Sequence, residues 1–190
     1  MLFRSITLDG GTTNTRAYLW RQDGSFVSSK KERAGVRNTA MDGSDQVIRE
    51  TVKRCIDGLI EESHIEESQV QGIFCSGMLT SNVGLEEIPY LCAPVDERAL
   101  CNAIECRFFN DITRIPFYMI PGVRNHVENI GIDTLEQMDV MRGEETEAVA
   151  LLRERGKGED LIFVLPGSHT KIIYANEEGF ICRCKTTMSG

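Results

Sequence analysis

The sequence has little of what marks a membrane or nucleic-acid-binding protein. No apolar run approaches the length of a membrane span, and the N-terminal apolar stretch is too short for a signal peptide. Basic residues form no cluster, and 29 acidic residues against 21 basic ones give a formal net charge of -8. We therefore expect a cytoplasmic globular protein that binds neither nucleic acid nor an anionic membrane.

The cysteines do not suggest a disulfide framework. The seven cysteines are odd in number and include no CxxC pair. Most of them lie in apolar stretches, where a reduced thiol packs as a small hydrophobic group. Only Cys182 and Cys184 have the spacing of two residues on one face of a strand, which makes them a weak candidate for a metal site.

What the sequence does contain is a mixed pattern of strands and helices. Residues 3–32 predict three short strands separated by turns, and apolar residues at three- and four-residue spacing predict a helix that begins after Ser44 or Asp45. Further predictions are strands at 70–77 and 115–120, a short helix at 96–106, a loop with one helical turn at 123–137 and an acidic-fronted helix at 141–155. This order is typical of a mixed α/β domain.

The two ends of the chain carry similar segments, residues 6–27 and residues 162–181. Each has an apolar strand, a turn of Gly and Ser or Thr, a Thr followed by a basic residue, a second apolar strand and an acidic turn with Gly. Chance is the alternative explanation for a single copied hairpin. We predict that the second copy begins a second domain, so that residues 1–158 form the first domain and residues 159–190 the first hairpin of the next.

The first turn, Asp9–Asn14, has the composition of a phosphate-binding loop. Glycines let backbone N–H groups approach a phosphate, hydroxyls add donors, and an aspartate at a strand end can hold Mg²⁺ through water. A plain hairpin is the alternative, because Asp-Gly and Gly-Gly are common turn dipeptides. The second turn, residues 167–171, offers similar groups without the aspartate. Two such turns facing each other would hold the β- and γ-phosphates of a nucleotide from both sides.

Several strings of residues resemble known family motifs. D-G-G-T-T-N-T-R from Asp9 and P-G-S-H-T-K from Pro166 resemble the two phosphate motifs of the superfamily of acetate and sugar kinases, heat-shock cognate proteins and actin. The strings Gly77–Tyr90, Asp139–Thr146 and Leu165–Lys171 resemble motifs of the 2-dehydro-3-deoxygalactonokinase family, in that family's order. The resemblance implies an α/β fold of the ribonuclease H-like, actin-like ATPase type, with a mixed sheet and the start of a second similar domain.

The resemblance also implies a reaction, the Mg²⁺-dependent transfer of the ATP γ-phosphoryl group to the 6-hydroxyl of 2-dehydro-3-deoxy-D-galactonate. Asp9 would place the metal ion. The phosphates would be held by the two turns, through Gly10, Gly11, Thr12, Thr13, Asn14, Gly167, Ser168 and His169. The sugar acid would contact Gly77, Ser81, Glu87, Tyr90 and Arg142. Each of three of these residues also has an alternative role. Tyr90 would be a packed aromatic residue, His169 a surface histidine, and Arg142 the partner of a neighbouring acidic residue.

A sugar-hydroxyl acceptor needs a carboxylate within hydrogen-bond reach. In kinases related by the resemblance this acid lies shortly before the second phosphate hairpin, so that Asp139, Glu144 and Glu145 are the catalytic candidates, with Asp139 slightly favoured. The N-terminal end of a helix also favours acidic side chains, and helix capping is therefore the alternative role for Glu144.

Three functions are open at this point. The leading hypothesis is a sugar-acid kinase that uses ATP and Mg²⁺. The alternatives are a non-catalytic module that binds a sugar acid or phosphate, and a kinase of the same fold for another sugar. Because members of the superfamily use a further C-terminal domain for the adenosine, we expect this chain to be part of a longer kinase and to show little turnover alone. A homodimer is left open.

Overall fold

The computed structural model describes residues 4–167 and 169–188, which divide into two compact units. Unit 1 comprises the residues up to Ile88 together with Ile104–Ile120. Unit 2 comprises Pro89–Ala103 together with the residues from Pro121 onward. This division differs from the predicted boundary after residue 158, since residues on both sides of that boundary lie in unit 2. The predicted boundary stays a prediction.

Short strands make up most of the regular structure. In chain order they are β1 (Arg4–Gly10), β2 (Thr15–Arg21), β3 (Phe26–Glu32), β4 (Val70–Gly77), β5 (Leu91–Cys92), β6 (Glu105–Arg107), β7 (Phe117–Met119), β8 (Val123–Arg124), β9 (Val140–Met141), β10 (Leu161–Leu165), β11 (Thr170–Ala175) and β12 (Ile181–Thr187). The helices are α1 (Val36–Asp42), α2 (Gln46–Glu62), α3 (Glu97–Asn102) and α4 (Glu144–Arg155). Short 3-10 helices span Glu67–Gln69, Met78–Thr80 and Ile132–Gln137.

Unit 1 is built on a six-stranded mixed sheet in the order β3-β2-β1-β4-β7-β6. β4 runs parallel to both of its neighbours, β1 and β7, and the other pairs are antiparallel. The predicted three-strand start and the predicted mixed α/β fold are therefore confirmed. Because β1 and β4 are parallel, their carboxyl ends meet, and Gly10 pairs with Gly77 at that edge.

α2 covers one face of this sheet. Its buried residues recur at helical spacing and are Ile48, Thr51, Val52, Cys55, Ile56 and Leu59. All of them except the polar Thr51 belong to one apolar core with strand residues such as Ile6, Leu8 and Leu19, which are fully buried. Burial raises the pKa of the Cys55 thiol to about 11, so that this cysteine stays protonated and packs as a small apolar group. The expectation that most cysteines pack in this way holds for three of the seven, Cys55, Cys75 and Cys184, because the other four are exposed or only partly buried.

Unit 2 contains two three-stranded sheets, β10-β11-β12 and β5-β8-β9. The first has the antiparallel hairpin layout of β1, β2 and β3 in unit 1, and Thr170 begins β11 as Thr15 begins β2. The resemblance between the chain ends thus corresponds to a shared three-strand layout. Among the described residues, β10 has a partner on one edge only, whereas β1 is paired on both edges.

Sequence patterns missed several short elements. α1 and the two-residue strands β5 and β8 lie in stretches where no helix or strand was predicted, because elements of this length carry too little periodicity. The helices predicted at 96–106 and 141–155 are shorter than expected: α3 ends at Asn102 and is followed by the strand β6, and α4 begins only at Glu144, after the strand β9. Residues 123–137 were predicted as a loop with one helical turn, and the turn is present as Ile132–Gln137.

The proposed cysteine pair is not arranged as a metal site. Cys184 is buried and Cys182 is exposed, although both lie on β12. Burial raises the pKa of the Cys184 thiol to about 12. Within residues 4–167 and 169–188, no group of three or more metal-ligating side chains is found, and no helix has the length and apolar character to cross a membrane.

The turn after β4 is packed so closely that Gly84 tolerates no side chain. A Cβ at Gly84 would lie 2.3 Å from the backbone oxygens of both Met78 and Leu79. We expect Gly84→Ala to lower the free energy of unfolding by roughly 1–3 kcal/mol, as overpacking does, measured by urea denaturation. Gly131→Ala is the control, because no atom lies within 4 Å of its Cβ position. Equal urea midpoints for the two variants would contradict the packing described.

Candidate active site

Asp9 is an oriented and accessible carboxylate in β1, at the start of the first turn. Its Oδ2 accepts a hydrogen bond from Nη1 of Arg16, the residue opposite it on β2, at 3.0 Å. The Asp9 side chain is 44% exposed and that of Arg16 40%. The ion pair fixes one oxygen of the carboxylate and leaves the other, Oδ1, on the side of Gly77.

Glycine is required on both strands at this edge. A Cβ at Gly10 would lie 2.3 Å from Cγ of Leu79, and one at Gly77 would lie 2.7 Å from the Gly10 oxygen. Gly77 also has φ +70°, a conformation that residues with a side chain rarely adopt. The structure therefore places Gly77, predicted to contact the substrate, directly beside Asp9 and the predicted phosphate turn.

The turn itself is closed by an internal hydrogen bond. The Gly11 N–H donates to the Asn14 oxygen at 2.8 Å, and Nδ2 of Asn14 donates to the Thr13 hydroxyl at 2.9 Å. The amide of Gly11 is thus engaged within the turn. Thr12 and Thr13 are exposed, so that their amides and hydroxyls are the groups this turn can present to a phosphate.

Residues 34–37 form backbone hydrogen bonds with the turn, and the sequence did not predict this contact. The backbone N–H groups of Val36 and Arg37 donate to the oxygens of Gly11 and Thr12 at 3.3 and 3.0 Å. Residues 34–37 lie very close to the turn, since a Cβ at Gly35 would lie 2.4 Å from the Gly11 oxygen. No sequence pattern predicts this contact, because it consists of hydrogen bonds between backbone atoms and of a close approach that is possible only because Gly35 has no side chain.

A second set of contacts fixes the start of the same segment. The hydroxyl of the fully buried Thr15 donates to the Ala34 oxygen at 2.8 Å. Thr15 begins β2 directly after the turn. The middle of the turn and the residue that follows it are therefore both joined to residues 34–37, which we call the support segment.

The second predicted turn, in unit 2, has fewer groups available to a phosphate than the first. Gly167 and His169 are exposed, and Ser168 lies outside the described residues. Lys171 is buried, and its Nζ donates to the Val140 oxygen at 2.6 Å and to the Thr186 hydroxyl. The turn therefore keeps its exposed glycine and histidine, while the lysine is engaged within unit 2. That the two turns face each other stays a prediction.

Tyr90 and Arg142, both predicted to contact the substrate, lie together in unit 2. The Arg142 guanidinium carbon is 4.0 Å from the centre of the Tyr90 ring, a cation–π geometry. A Cβ at Gly122 would lie 2.7 Å from the same ring, so that glycine lets the ring pack closely there. Arg142 is buried, at 9% exposure, and so has a fixed position.

The other predicted substrate residues lie in unit 1 and differ in exposure. Ser81 is buried, and its hydroxyl donates to the Met78 oxygen at 2.7 Å, which is a local structural role. Glu87 is exposed to solvent. Of these two, Glu87 is the side chain that a ligand can reach.

Asp139 is held by donors from two neighbouring segments. Its carboxylate accepts from the Thr186 hydroxyl at 2.8 Å, from the Thr186 N–H and from the Val140 N–H at 2.7 Å, and Lys171 Nζ is 3.5 Å away. Burial alone would raise the pKa of Asp139, but the hydrogen bonds from Thr186 and Val140 and the charge of Lys171 bring it below its ordinary value. These contacts make Asp139 an anchor between β9 and β12 and a weak proton acceptor.

Glu144 and Glu145 begin α4 and both accept backbone hydrogen bonds. Glu144 Oε2 accepts from the Arg142 N–H at 3.0 Å, and both oxygens of Glu145 accept from the Gly143 N–H at 2.8 and 2.7 Å. Glu145 is fully buried, and this burial raises its pKa to about 7 despite the hydrogen bonds. Glu144 is only partly buried, which leaves it the more accessible of the two carboxylates.

The Asp139 anchor predicts a pH-dependent stability. Because the pKa of Asp139 is lower in the folded protein than its ordinary value of 3.8, its contribution is fully present above that value and is lost as the pH falls through the folded pKa. We expect Asp139→Asn to lower the free energy of unfolding at pH 7 by roughly 1.5–3 kcal/mol, the range for hydrogen bonds to charged groups. Urea denaturation from pH 7 down to pH 3 should show the gap to wild type narrowing.

Asp133→Asn is the matched control for this prediction. Asp133 is exposed in the 3-10 helix that precedes Asp139, and we expect its replacement to change stability by less than about 0.5 kcal/mol. A gap between Asp139→Asn and wild type that stays constant down to pH 3 would show that the carboxylate is not the anchor.

Comparison with known proteins shows relatives along the whole chain. The chain is 28% identical over 191 residues to the 2-dehydro-3-deoxygalactonokinase of Escherichia coli (strain K12), and the match covers 100% of this chain and 55% of that protein. The chain therefore spans about half the length of this relative.

Solved structures show the same fold. A protein of Sinorhizobium meliloti provisionally named 2-dehydro-3-deoxygalactonokinase matches with a TM-score of 0.76 at 19% identity, over 98% of this chain and 54% of that one. A reductive activator for a corrinoid, iron-sulfur protein matches with a TM-score of 0.58 at 15% identity, over 93% of this chain and 30% of that one.

The sequence profile described as 2-keto-3-deoxy-galactonokinase matches residues 9–190, which begin at Asp9 and include both predicted phosphate turns. This match takes in nearly the whole chain. The chain belongs to the 2-keto-3-deoxy-galactonokinase family.

Proposed function

We propose that this chain carries phosphate- and substrate-binding parts of a kinase that transfers the ATP γ-phosphoryl group to the 6-hydroxyl of 2-dehydro-3-deoxy-D-galactonate. Family membership and the names of its relatives support a sugar-acid kinase. The observation that carries the proposal is the edge of the unit 1 sheet, where Asp9 stands beside two closely packed glycines, Gly10 and Gly77.

The first turn has the groups that a nucleotide phosphate and Mg²⁺ require. Mg²⁺ is usually bound by one or two carboxylates together with waters and substrate phosphates. Asp9 fits this role, because its carboxylate is accessible and has one oxygen outside the Arg16 ion pair. Bound there, Mg²⁺ would supply charge neutralisation during phosphoryl transfer. Thr12 and Thr13 would donate to the phosphate oxygens, and Gly10 and Gly11 would allow the close approach.

The turn in unit 2 is proposed as a second phosphate contact. Gly167 and His169 are exposed there, and Ser168 adds a hydroxyl by sequence. Phosphoryl transfer depends mainly on positioning and on charge stabilisation, so two sets of donors suit the reaction. Asn14 contributes indirectly, by closing the first turn through its backbone oxygen.

For the acceptor hydroxyl we propose Glu144 as the orienting carboxylate. It is partly exposed, and only its Oε2 accepts the Arg142 N–H. Asp139 and Glu145 are less suited, because Asp139 is held as an anchor and Glu145 is fully buried against Gly143. Arg142, stacked on Tyr90, is proposed to contact the sugar acid from the same region of unit 2.

The binding properties of the chain test this proposal. We expect Mg-ATP to bind weakly and 2-dehydro-3-deoxy-D-galactonate to bind in calorimetric titrations. Mixtures should yield phosphorylated acid slowly, at the low turnover expected of this chain alone, in amounts that mass spectrometry can detect. A module that only senses the acid would bind it equally well with or without nucleotide and form no product. Phosphorylation of a neutral sugar in place of the acid would point to another substrate. Absence of binding for both ligands would contradict the proposal.

The role of Asp9 is tested by Asp9→Asn. Without the charge, we expect Mg²⁺-dependent phosphoryl transfer to fall by roughly 100-fold or more, as when a charge-stabilising group is removed from other enzymes. The measurement is product formation against Mg²⁺ concentration. Asp57→Asn on α2 is the matched control, since the Asp57 side chain is also 44% exposed and also pairs with a cation, Lys53. Equal rates for Asp9→Asn and wild type would refute the assignment.

A further inference from the structure

The support segment contains one charged residue, Arg37. Its own N–H donates to the Thr12 oxygen at 3.0 Å, so that its backbone is fixed within hydrogen-bond distance of the turn. The two preceding residues, Gly35 and Val36, are buried, whereas Arg37 is exposed to solvent. The segment thus anchors an arginine by its main chain and leaves its side chain in solvent.

Arg37 forms no ion pair with a described side chain, which it shares with Arg21, Lys31, Arg33 and Arg114 in unit 1. Ion pairs with carboxylates occupy Arg16, Lys30, Arg49, Lys53, Arg54 and Arg107. Among the side chains that the structure describes, none forms an ion pair with Arg37. In a chain with a net charge of -8, an arginine that has no ion pair to a described side chain and whose backbone contacts a phosphate turn is a local site of positive charge.

An arginine suits an oxyanion for geometric reasons. Its planar guanidinium donates two parallel hydrogen bonds to a carboxylate or a phosphate and keeps its charge at all physiological pH values. A side chain that is already paired must give up that partner before it binds a ligand, whereas an exposed and unpaired one does not. Arg142, by comparison, is buried against the Tyr90 ring.

We propose that Arg37 recognises an oxyanion of the ligand bound at the Asp9–Asn14 turn, and that the support segment positions this arginine for that contact. The inference rests on the proposed function, because it takes that turn as a ligand site. Two ligand groups share the required chemistry, a terminal phosphate of the nucleotide and the carboxylate of the sugar acid. In either case Arg37 sets specificity for an anion, a role distinct from the metal placement proposed for Asp9.

The test compares Arg37→Gln with wild type in separate calorimetric titrations with Mg-ATP and with 2-dehydro-3-deoxy-D-galactonate. We expect the variant to bind one of the two about tenfold more weakly, the size expected for one charge-assisted hydrogen bond. Loss confined to Mg-ATP identifies a phosphate, and loss confined to the acid identifies the carboxylate. Arg37→Lys should recover part of the affinity, and the loss should shrink at high salt, because both effects follow from charge.

Arg114→Gln is the matched control. Arg114 is also exposed and has no ion pair among the described side chains, but it precedes β7, at the end of the sheet opposite Gly10. We expect both variants to keep the wild-type melting temperature. Wild-type affinity of Arg37→Gln for both ligands would overturn the inference and leave the proposed function standing. If the wild-type chain bound neither ligand, the proposed function would fail and this inference with it.

Discussion

The structure of the candidate site depends on how closely two backbones approach at the carboxyl ends of β1 and β4. Gly10 and Gly77 pair there, and a side chain on either would meet atoms at 2.3 to 2.7 Å. Because the strands are parallel, both lead into connections at the same edge of the sheet. The absence of side chains lets Asp9, the turn after it and the segment after Gly77 occupy one small region of unit 1.

Hydrogen bonds within the protein then decide which groups of the turn stay available. The Gly11 amide and the oxygens of Gly11 and Thr12 are all used, either to close the turn or to join it to the support segment. What remains exposed is a short run of threonine donors next to a carboxylate. A turn fixed in this way loses little conformational freedom when a ligand binds, which favours affinity. The same logic applies to Arg37, whose backbone is fixed before any ligand arrives.

Charge is used differently in unit 2. Lys171 and Asp139 are largely buried, with side-chain exposures of 7% and 18%, and satisfy each other and Thr186. A buried charge is costly unless all its hydrogen bonds are made, so these residues serve the structure first. The charged residues that the ligand meets are expected instead among partly exposed ones, such as Glu144 and Asp9. Sequence alone does not separate these two groups, because burial and pairing depend on residues far along the chain.

The sequence therefore predicted the fold better than the roles of individual residues. Periodicity was sufficient for α2, β4 and the opening hairpins, since each buries one regular face. It could not reveal that Asp139 accepts hydrogen bonds from Thr186, 47 residues away, or that Arg37 donates to Thr12. α1 was not predicted either, because its position too is determined by contacts that periodicity cannot reveal. Its position depends on backbone hydrogen bonds to a turn and on the lack of a side chain at Gly35, and neither leaves a periodic signal in the sequence.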